Sequence, residues 1–344
     1  MSNHEYDIIV IGAGPSGSSA ANAASSLGWK VLLLDRFQFP REKVCGDGLT
    51  PNGIRLLHQI GINLEDLLTV GAFEVEQFRI FFDTILIEEK LFQNDQKLPD
   101  MALGITRQAL DSLLLEKALS KGAVWYGGFD VNSITVDIKK GSVTVIGKAE
   151  NEIVRLNARL VIIAAGASAR FYHSLGSHPP PQSFGVGLRQ YFKLEDQPLS
   201  SFDLFYEPYL AGGYAWIFPV GANLVNVGVG VKIGNEKVNL SRALKTFVKE
   251  NLLAKYILAD AKTIGQPKAA PMRMIISEKL VDDGLLWVGD AAGLTHPITG
   301  QGIPQAIESG LLAAEIASTA LQKGDTRQHI LRAYDSEIRN RFSI

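Results

Sequence analysis

Tyr6-Asp7-Ile8-Ile9-Val10-Ile11-Gly12-Ala13-Gly14-Pro15-Ser16-Gly17 is the stretch that decides the fold. An apolar run of strand length passes directly into Gly-x-Gly-x-x-Gly, and a small-residue, helix-compatible segment follows from Ser16 to Leu27. Lys30 to Leu34 reads as a second apolar strand closed by Asp35, so the opening is a βαβ unit. Gly12 and Gly14 permit a tight turn and close approach of the backbone to a pyrophosphate, and Gly17 lets the helix pack on the strand. The helix amino end at Pro15 and Ser16 offers unpaired N–H groups and partial positive charge. Asp35, followed by Arg36, stands where an adenosine ribose is held, so this half of the chain is expected to bind a dinucleotide.

Working outward, residues Ile105 to Ala118 follow a helical period, with Thr106 as N-cap and Leu110, Leu113, Leu114 and Ala118 on the buried stripe. From Val124 to Ile163 the pattern becomes short β-rich runs with a turn at Lys139 to Gly141, a β-meander that returns to the sheet through Leu160 to Ala164. Pro179 to Pro181 mark a crossover. Beyond it, aromatic strand-like segments run through Tyr206, Tyr214, Trp216, Phe218 and Val225 to Val231. A strand at Leu285 to Val288 then leads through Gly289 and Asp290 into a long helix from Ile303 to Leu321. The expected fold is α/β, a Rossmann-type dinucleotide domain split in sequence, with a second α+β lobe built on a mainly antiparallel sheet. The expected boundaries are 1–70, 101–176 and 265–344 for the dinucleotide domain, and 71–100 and 177–264 for the substrate lobe.

Composition narrows the partners. The 344 residues carry 34 basic and 36 acidic side chains, a formal charge of −2, with no run of like charge, which argues against a nucleic-acid surface. A single cysteine, Cys45, excludes an internal disulfide and a cysteine-rich metal site, and fits a reducing cytoplasm. Five residues precede the first strand, too few for a secretory leader, and no apolar run reaches the ~20 residues of a membrane span. Localisation is therefore expected to be cytoplasmic, with membrane contact at most peripheral.

The opening fingerprint does not separate NAD from FAD. The distal segment Gly289-Asp290-Ala291-Ala292-Gly293, with Pro297 and Thr299-Gly300-Gln301-Gly302 before the helix at Ile303, decides for FAD. Asp290 at a strand end suits a ribityl hydroxyl, and the glycines before Ile303 can approach pyrophosphate or the flavin ring. The plainer reading of Asp290, a cap on the turn before a helix, is compatible with that role.

With both halves present, the chain resembles the flavoprotein superfamily of aromatic hydroxylases, flavin halogenases and geranylgeranyl reductases, over nearly its whole length. Pro40-Arg41-Glu42-Lys43-Val44-Cys45-Gly46-Asp47-Gly48-Leu49 is similar to the Cys-Gly-rich segment of geranylgeranyl reductases. Tyr214-Ala215-Trp216-Ile217-Phe218-Pro219 and Asn226-Val227-Gly228-Val229-Gly230 resemble that family's substrate-lobe signature. The resemblance implies an FAD-dependent reductase of prenyl double bonds, with Cys45 and Gly46 beside the flavin and Arg107 in contact with FAD. It also implies Cys45, Tyr214 and Trp216 as candidate catalytic residues acting on an apolar, prenylated or carrier-bound substrate. From the residues alone, Cys45 reads equally as proton donor, flavin-positioning group or small buried hydrophobe, and the aromatic stripe equally as pocket or core. His296 reads as a flavin or substrate contact or, at least equally, as a structural loop histidine, and Arg41 and Lys43 as ligands of a diphosphate or other anionic group or as solvated loop residues.

Two departures bear on the reaction. Ala165-Gly166 stands where many relatives have Asp-Gly before Ser168 and Arg170, and the sequence stops soon after Tyr334, so the substrate tunnel that the resemblance implies is expected to be either incomplete or unusually open. No second nucleotide fingerprint is present, and Gly228-Val229-Gly230 reads as structural, so NAD(P)H binds transiently or another donor or redox partner reduces the flavin. Two alternatives remain. One is an FAD monooxygenase or halogenase, although Tyr214 to Pro219 lacks the first Trp and the Ile of the halogenase Trp-x-Trp-x-Ile-Pro motif. The other is a flavoprotein maturation factor.

Overall fold

The computed structural model describes residues 5–92, 99–150, 152–168, 171–172, 184–195, 198–210, 212–233 and 238–343; Arg170 and Pro179 to Pro181 lie outside them. The chain forms two compact units. The first comprises Met1–Arg41, Asp111–Ser183 and Arg273–Ile344, and the second Glu42–Leu110 and Phe184–Met272.

In the first unit, strands run in the order Val281–Asp282, Leu285–Trp287, Glu152–Ile163, Tyr6–Ile11, Val31–Asp35, Val124–Gly127, and the four neighbour pairs from Leu285–Trp287 onward are parallel. The continuous apolar sequence of Tyr6–Ile11 follows from this position. Ile8 and Val10 face one core with Ala20, Ala21, Ala24, Ala313 and Ala317, while Ile9 and Ile11 face another with Leu34, Phe129 and Val145. A strand covered on both faces has no polar side to show. Each of these aliphatic strand residues, fully removed from water, contributes about 1.5–3 kcal/mol. The small residues of the Pro15–Ser26 helix serve close packing, which is why so many of its serines are buried. The hairpin Asp130–Asp137 with Ser142–Ala149 joins the start of Glu152–Ile163 antiparallel, as the meander pattern predicts.

The second unit holds a seven-stranded sheet, Lys262–Arg273, Phe184–Lys193, Leu224–Lys232, Tyr214–Gly221, Ser201–Tyr206, Gln77–Phe82, Ile85–Leu91, antiparallel at the pairs described except between Ser201–Tyr206 and Gln77–Phe82. Period two divides its faces. Ala215, Ile217, Val227 and Phe205 pack against Ala243, Leu244 and Phe247 of the amphipathic helix Leu240–Glu250. That helix starts at Asn239, whose side chain accepts the Arg242 N–H at 3.0 Å. Tyr214, Trp216 and Phe218 therefore project from the opposite face.

The segments 42–70 and 101–110 group with the second unit, whereas the expected boundary put them in the dinucleotide domain. Gly48–Leu49, Ala102–Gly104 and Phe73–Val75 form a three-stranded sheet, and Val75 and Ala102 share a core with Phe202. Short strands of two or three residues leave no readable period.

Gly228 has a reason to be glycine: a Cβ there would lie 2.2 Å from Trp216 Cζ2 and 2.7 Å from the Leu188 carbonyl oxygen. The indole occupies the space that a side chain at 228 would need. Gly228→Ala should destabilise the protein by about 1–3 kcal/mol by overpacking, measured as a lower denaturation midpoint with unchanged m-value.

Candidate functional site

The Gly-rich turn of the first unit is shaped by contacts that only glycine allows. Gly12 sits at φ +104°, and a Cβ there would be 2.3 Å from the Ala164 carbonyl oxygen; a Cβ on Gly17 would be 1.8 Å from the Gly12 carbonyl oxygen. Gly14 is the N-cap of Pro15–Ser26, Pro15 occupies its first turn, and no side chain caps the helix. Ser18 N–H bonds back to Gly14, so among the described residues the amides of Ser16 and Gly17 point out of an uncapped amino end. Asp35 closes the second strand with 8% exposure. Its Oδ2 accepts the Ala13 N–H at 2.9 Å and its Oδ1 the Phe37 N–H at 3.0 Å, with Arg41 3.7 Å away. Asp35 thus holds the glycine turn to the end of its own strand and keeps acceptor capacity to spare. Arg36 is exposed, its guanidinium 4.7 Å from the Phe37 ring centroid.

The distal motif comes to the same place. A Cβ on Gly289 would lie 2.8 Å from Ser16 Oγ, and Gly289 N–H donates to Ser309 Oγ at 3.0 Å. Asp290 Oδ1 accepts the Thr295 hydroxyl at 2.8 Å, and a Cβ on Gly302, the uncapped N-cap of Ile303–Gln322, would lie 3.5 Å from that same Oδ1. Pro297 and Gln301 belong to the loop before that helix, and Gly300 turns at φ +67°. His296 organises this loop: its Nδ1 accepts the Ile298 and Thr299 amides at 3.3 and 3.2 Å, and its backbone exchanges bonds with Gln301 and Gly300. Two residues that sequence reading missed support Asp290 from behind. Tyr172 Oη donates at 2.9 Å to the Gly166 carbonyl and lies 3.2 Å from the Ala291 carbonyl, to which Arg273 Nη1 donates at 2.7 Å.

In the second unit, the turn Cys45-Gly46-Asp47-Gly48 lies against the aromatic stripe. A Cβ on Gly46 would meet Phe218 at 3.4 Å and Trp216 Nε1 at 3.6 Å. The stripe itself runs Tyr206, Tyr214, Trp216, Phe218 and Phe202 with ring centroids 4.5–6.4 Å apart. Trp216 Nε1 donates to Asn226 Oδ1 at 2.9 Å, and Asn226 Nδ2 donates to the Cys45 carbonyl and to Asp47 Oδ2, both at 2.8 Å. Tyr191 Oη donates to the same Asp47 Oδ2. The Arg189 guanidinium lies 4.0 Å from the Tyr191 ring centroid and pairs with Glu42, which also pairs with Lys268. Arg107, 8% exposed, opens the helix Arg107–Ser120 in the turn after Thr106, whose Oγ1 lies 3.4 Å from the Ala109 N–H. Asp47, Tyr191, Arg189 and Asn226 were not singled out by sequence; the signal for Asp47 and Asn226 was their place in the two quoted motifs.

A family described as FAD binding domain matches residues 5–343. The chain belongs to this family. The flavoprotein is 29% identical to the digeranylgeranylglycerophospholipid reductase of Thermoplasma volcanium, over 98% of this chain and 84% of that protein. It is 30% identical to the menaquinone reductase of Mycobacterium tuberculosis, over 90% of this chain and 76% of that protein. Among solved structures, a geranylgeranyl bacteriochlorophyll reductase-like protein of Thermoplasma acidophilum superposes with a TM-score of 0.85 at 26% identity, covering 98% of this chain and 84% of that one. The protein is an FAD-dependent oxidoreductase of the geranylgeranyl reductase-like group.

The residues of the first unit fit FAD on their own chemistry. Two uncapped helix amino ends and two carboxylates at strand ends, on backbone kept bare by glycine, are donors of the kind a pyrophosphate needs and acceptors of the kind sugar hydroxyls need. Electrostatics mark the second unit. Burial pushes the Asp47 carboxyl up to about 6 from its ordinary 3.8, against the hydrogen bonds from Tyr191 and Asn226 and the charges of Arg189 and Arg107. Burial likewise raises the Cys45 thiol, with Arg107 opposing and Asp47 adding to the rise. Tyr214 and Tyr191 are both raised, first by burial. Tyr172 is pushed up to about 12, again by burial.

Asp47 makes stability depend on pH. The folded chain binds its proton more tightly than the unfolded chain, so its contribution is complete below about pH 4 and is lost as pH rises through about 6, a swing of about 3 kcal/mol. Asp47→Asn should flatten that slope in denaturant titrations between about pH 4 and about pH 7.

Proposed function

We propose that this flavoprotein reduces carbon–carbon double bonds of an apolar, prenyl-type substrate. The observation that carries the reading is the packing of the Cys45–Gly48 turn on the Trp216 and Phe218 rings, which brings the two motifs of the reductase resemblance into one site. The relatives' names point the same way, since a geranylgeranyl group is an isoprenoid hydrocarbon with repeated double bonds. In this reading the first unit is the cofactor domain. Gly12, Gly14, Pro15, Ser16 and Gly17 bind pyrophosphate, with Asp35 and Arg36 at the adenosine end. Asp290 takes a ribityl hydroxyl, and Gly289, Pro297, Gly300, Gln301, Gly302 and Ile303 shape the backbone around the cofactor. The second unit supplies the substrate lobe, and the family resemblance assigns cofactor contact to its Arg107, Cys45 and Gly46.

FAD, when bound and reduced, would supply the hydride for the first new carbon–hydrogen bond. The chain's own residues do the rest. Tyr214, Trp216 and Phe218 offer an apolar wall that orients the chain and excludes water. The Cys45 sulfur, raised by burial and so kept protonated at neutral pH, holds the proton for the second carbon. NAD(P)H or a redox partner restores the reduced cofactor. No helix among the described residues is long and apolar enough to cross a membrane. Contact with a membrane surface, where such a substrate resides, is supported by exposed apolar side chains at Phe82, Ile85, Leu252 and Tyr256, brought together where Asn251 Nδ2 donates to the Asp83 carbonyl at 3.1 Å.

The test is anaerobic photoreduction of the bound flavin followed by mixing with prenyl and aromatic candidates. Reoxidation by an isoprenoid alkene without oxygen is expected; silence until oxygen is admitted, followed by hydroxylated product, would transfer the assignment to oxygenation.

A further inference from the structure

The Cys45–Gly48 turn contains a residue that the reaction above leaves without a task. Asp47 is 0% exposed and holds φ +63°, a left-handed backbone that an aspartate flanked by two glycines adopts at a cost. Its Oδ1 is buried with no hydrogen-bond partner among the described residues. A carboxylate held in a strained, desolvated place does something that a glycine there would not.

Its other oxygen shows what. Oδ2 receives Tyr191 Oη and Asn226 Nδ2, and that one amide also donates to the Cys45 carbonyl while its oxygen takes the Trp216 indole N–H. We propose that Asp47 is the positioning residue of the site: it locks the Cys45 peptide to the Trp216 wall through Asn226 and acts on the sulfur through its negative charge. The proposal rests on the reading of Cys45 as proton source and deepens it, by naming what keeps that proton in place.

The charged and titratable groups around the pair are few. Arg107 and Lys43 favour the thiolate, Asp47 opposes it, and Tyr191 and Tyr214 lie within its field. Around Asp47 stand Arg107, Arg189, Tyr191 and the thiol itself. Without the Asp47 charge, burial alone is left to oppose Arg107 and Lys43, and the thiol becomes the stronger acid.

The experiment is the pH profile of iodoacetamide labelling of the FAD-loaded protein, whose single cysteine makes the signal unambiguous. Asp47→Asn keeps an acceptor for Tyr191 and Asn226, tolerates the left-handed backbone and removes the charge. Its labelling midpoint is expected to fall by about one pH unit, equivalent to about tenfold faster labelling below the midpoint. A folded, flavin-loaded Asp47→Asn with an unmoved midpoint overturns the proposal. Tyr191→Phe provides a second reading: it keeps the charge, removes one donor and makes Asp47 ionise later. The shoulder that Asp47 imprints on the wild-type profile near pH 6 should move upward, and a superimposable profile overturns the proposal even if Asp47→Asn does not fold. The reading of Cys45 fails separately, through a Cys45→Ala variant that turns over normally.

Discussion

Gly17→Ala yields a protein that purifies without flavin and melts well below the wild type. The added Cβ would sit 1.8 Å from the Gly12 carbonyl oxygen and 3.0 Å from the Ala164 Cβ. Neither atom belongs to a flexible side-chain tip, so the helix amino end must withdraw or the Gly12 turn must open. Either movement displaces the Ser16 and Gly17 amides that are proposed to hold the pyrophosphate, which should weaken FAD binding at least about 100-fold, or about 2.7 kcal/mol. Overpacking adds a stability loss of about 1–3 kcal/mol or more, since the opposing atoms are mainly backbone. Gly28→Ala is the control: it too carries a positive φ, +86°, but a Cβ there meets nothing within 4 Å, so it should lose some stability and keep its flavin. Flavin at wild-type occupancy in purified Gly17→Ala would remove the glycine turn from the account of the cofactor site.

Cys45→Ala should retain FAD and lose turnover by about 10²–10⁴-fold in kcat with little change in KM, the magnitude of a positioned general acid. Cys45 as a residue is half-buried, and burial of its thiol suppresses the acidity, so it stays a proton-bearing group through neutral pH. Raising the pH through its elevated titration should depress kcat in the wild type, because only the protonated form can donate. Cys45→Ser, with a weaker acid of similar size, should fall between wild type and alanine. Full turnover by Cys45→Ala would leave Cys45 only as part of the wall beside Trp216.

The parts of this molecule that were legible in the sequence are those whose cause is local. Strand, glycine turn, helix and Asp35 stand within thirty residues, and Gly289-Asp290 announces itself by the same logic of a strand end entering a helix. The cluster around Asp47 is of another kind. Tyr191 and Asn226 meet because Phe184–Lys193 and Leu224–Lys232 pair in the register that sets them opposite, and Trp216 reaches Gly228 by the register of the next pair. Register is fixed by the whole sheet, so no spacing along the chain reports it. Tyr172 and Arg273 were hidden for a similar reason: they converge on the Ala291 carbonyl from segments about a hundred residues apart in sequence. Trp216, which the sequence allowed as pocket or as core, is buried with its N–H bonded to Asn226 and its ring against Gly228, so its orientation is fixed by the sheet. The domain boundary moved because two- and three-residue strands around Gly48, Phe73 and Ala102 carry no period to read.

The most direct measurement is a single anaerobic turnover of the photoreduced protein with a geranylgeranyl-bearing substrate in deuterated water, read by flavin absorbance and product mass together. Oxidation of the flavin in step with a product that has lost one double bond and gained two solvent deuterons, one by way of the exchangeable flavin N5–H and one from the proton source, is the predicted result. A flavin that stays reduced in the presence of every isoprenoid alkene, and is oxidised only when oxygen enters, would contradict the account.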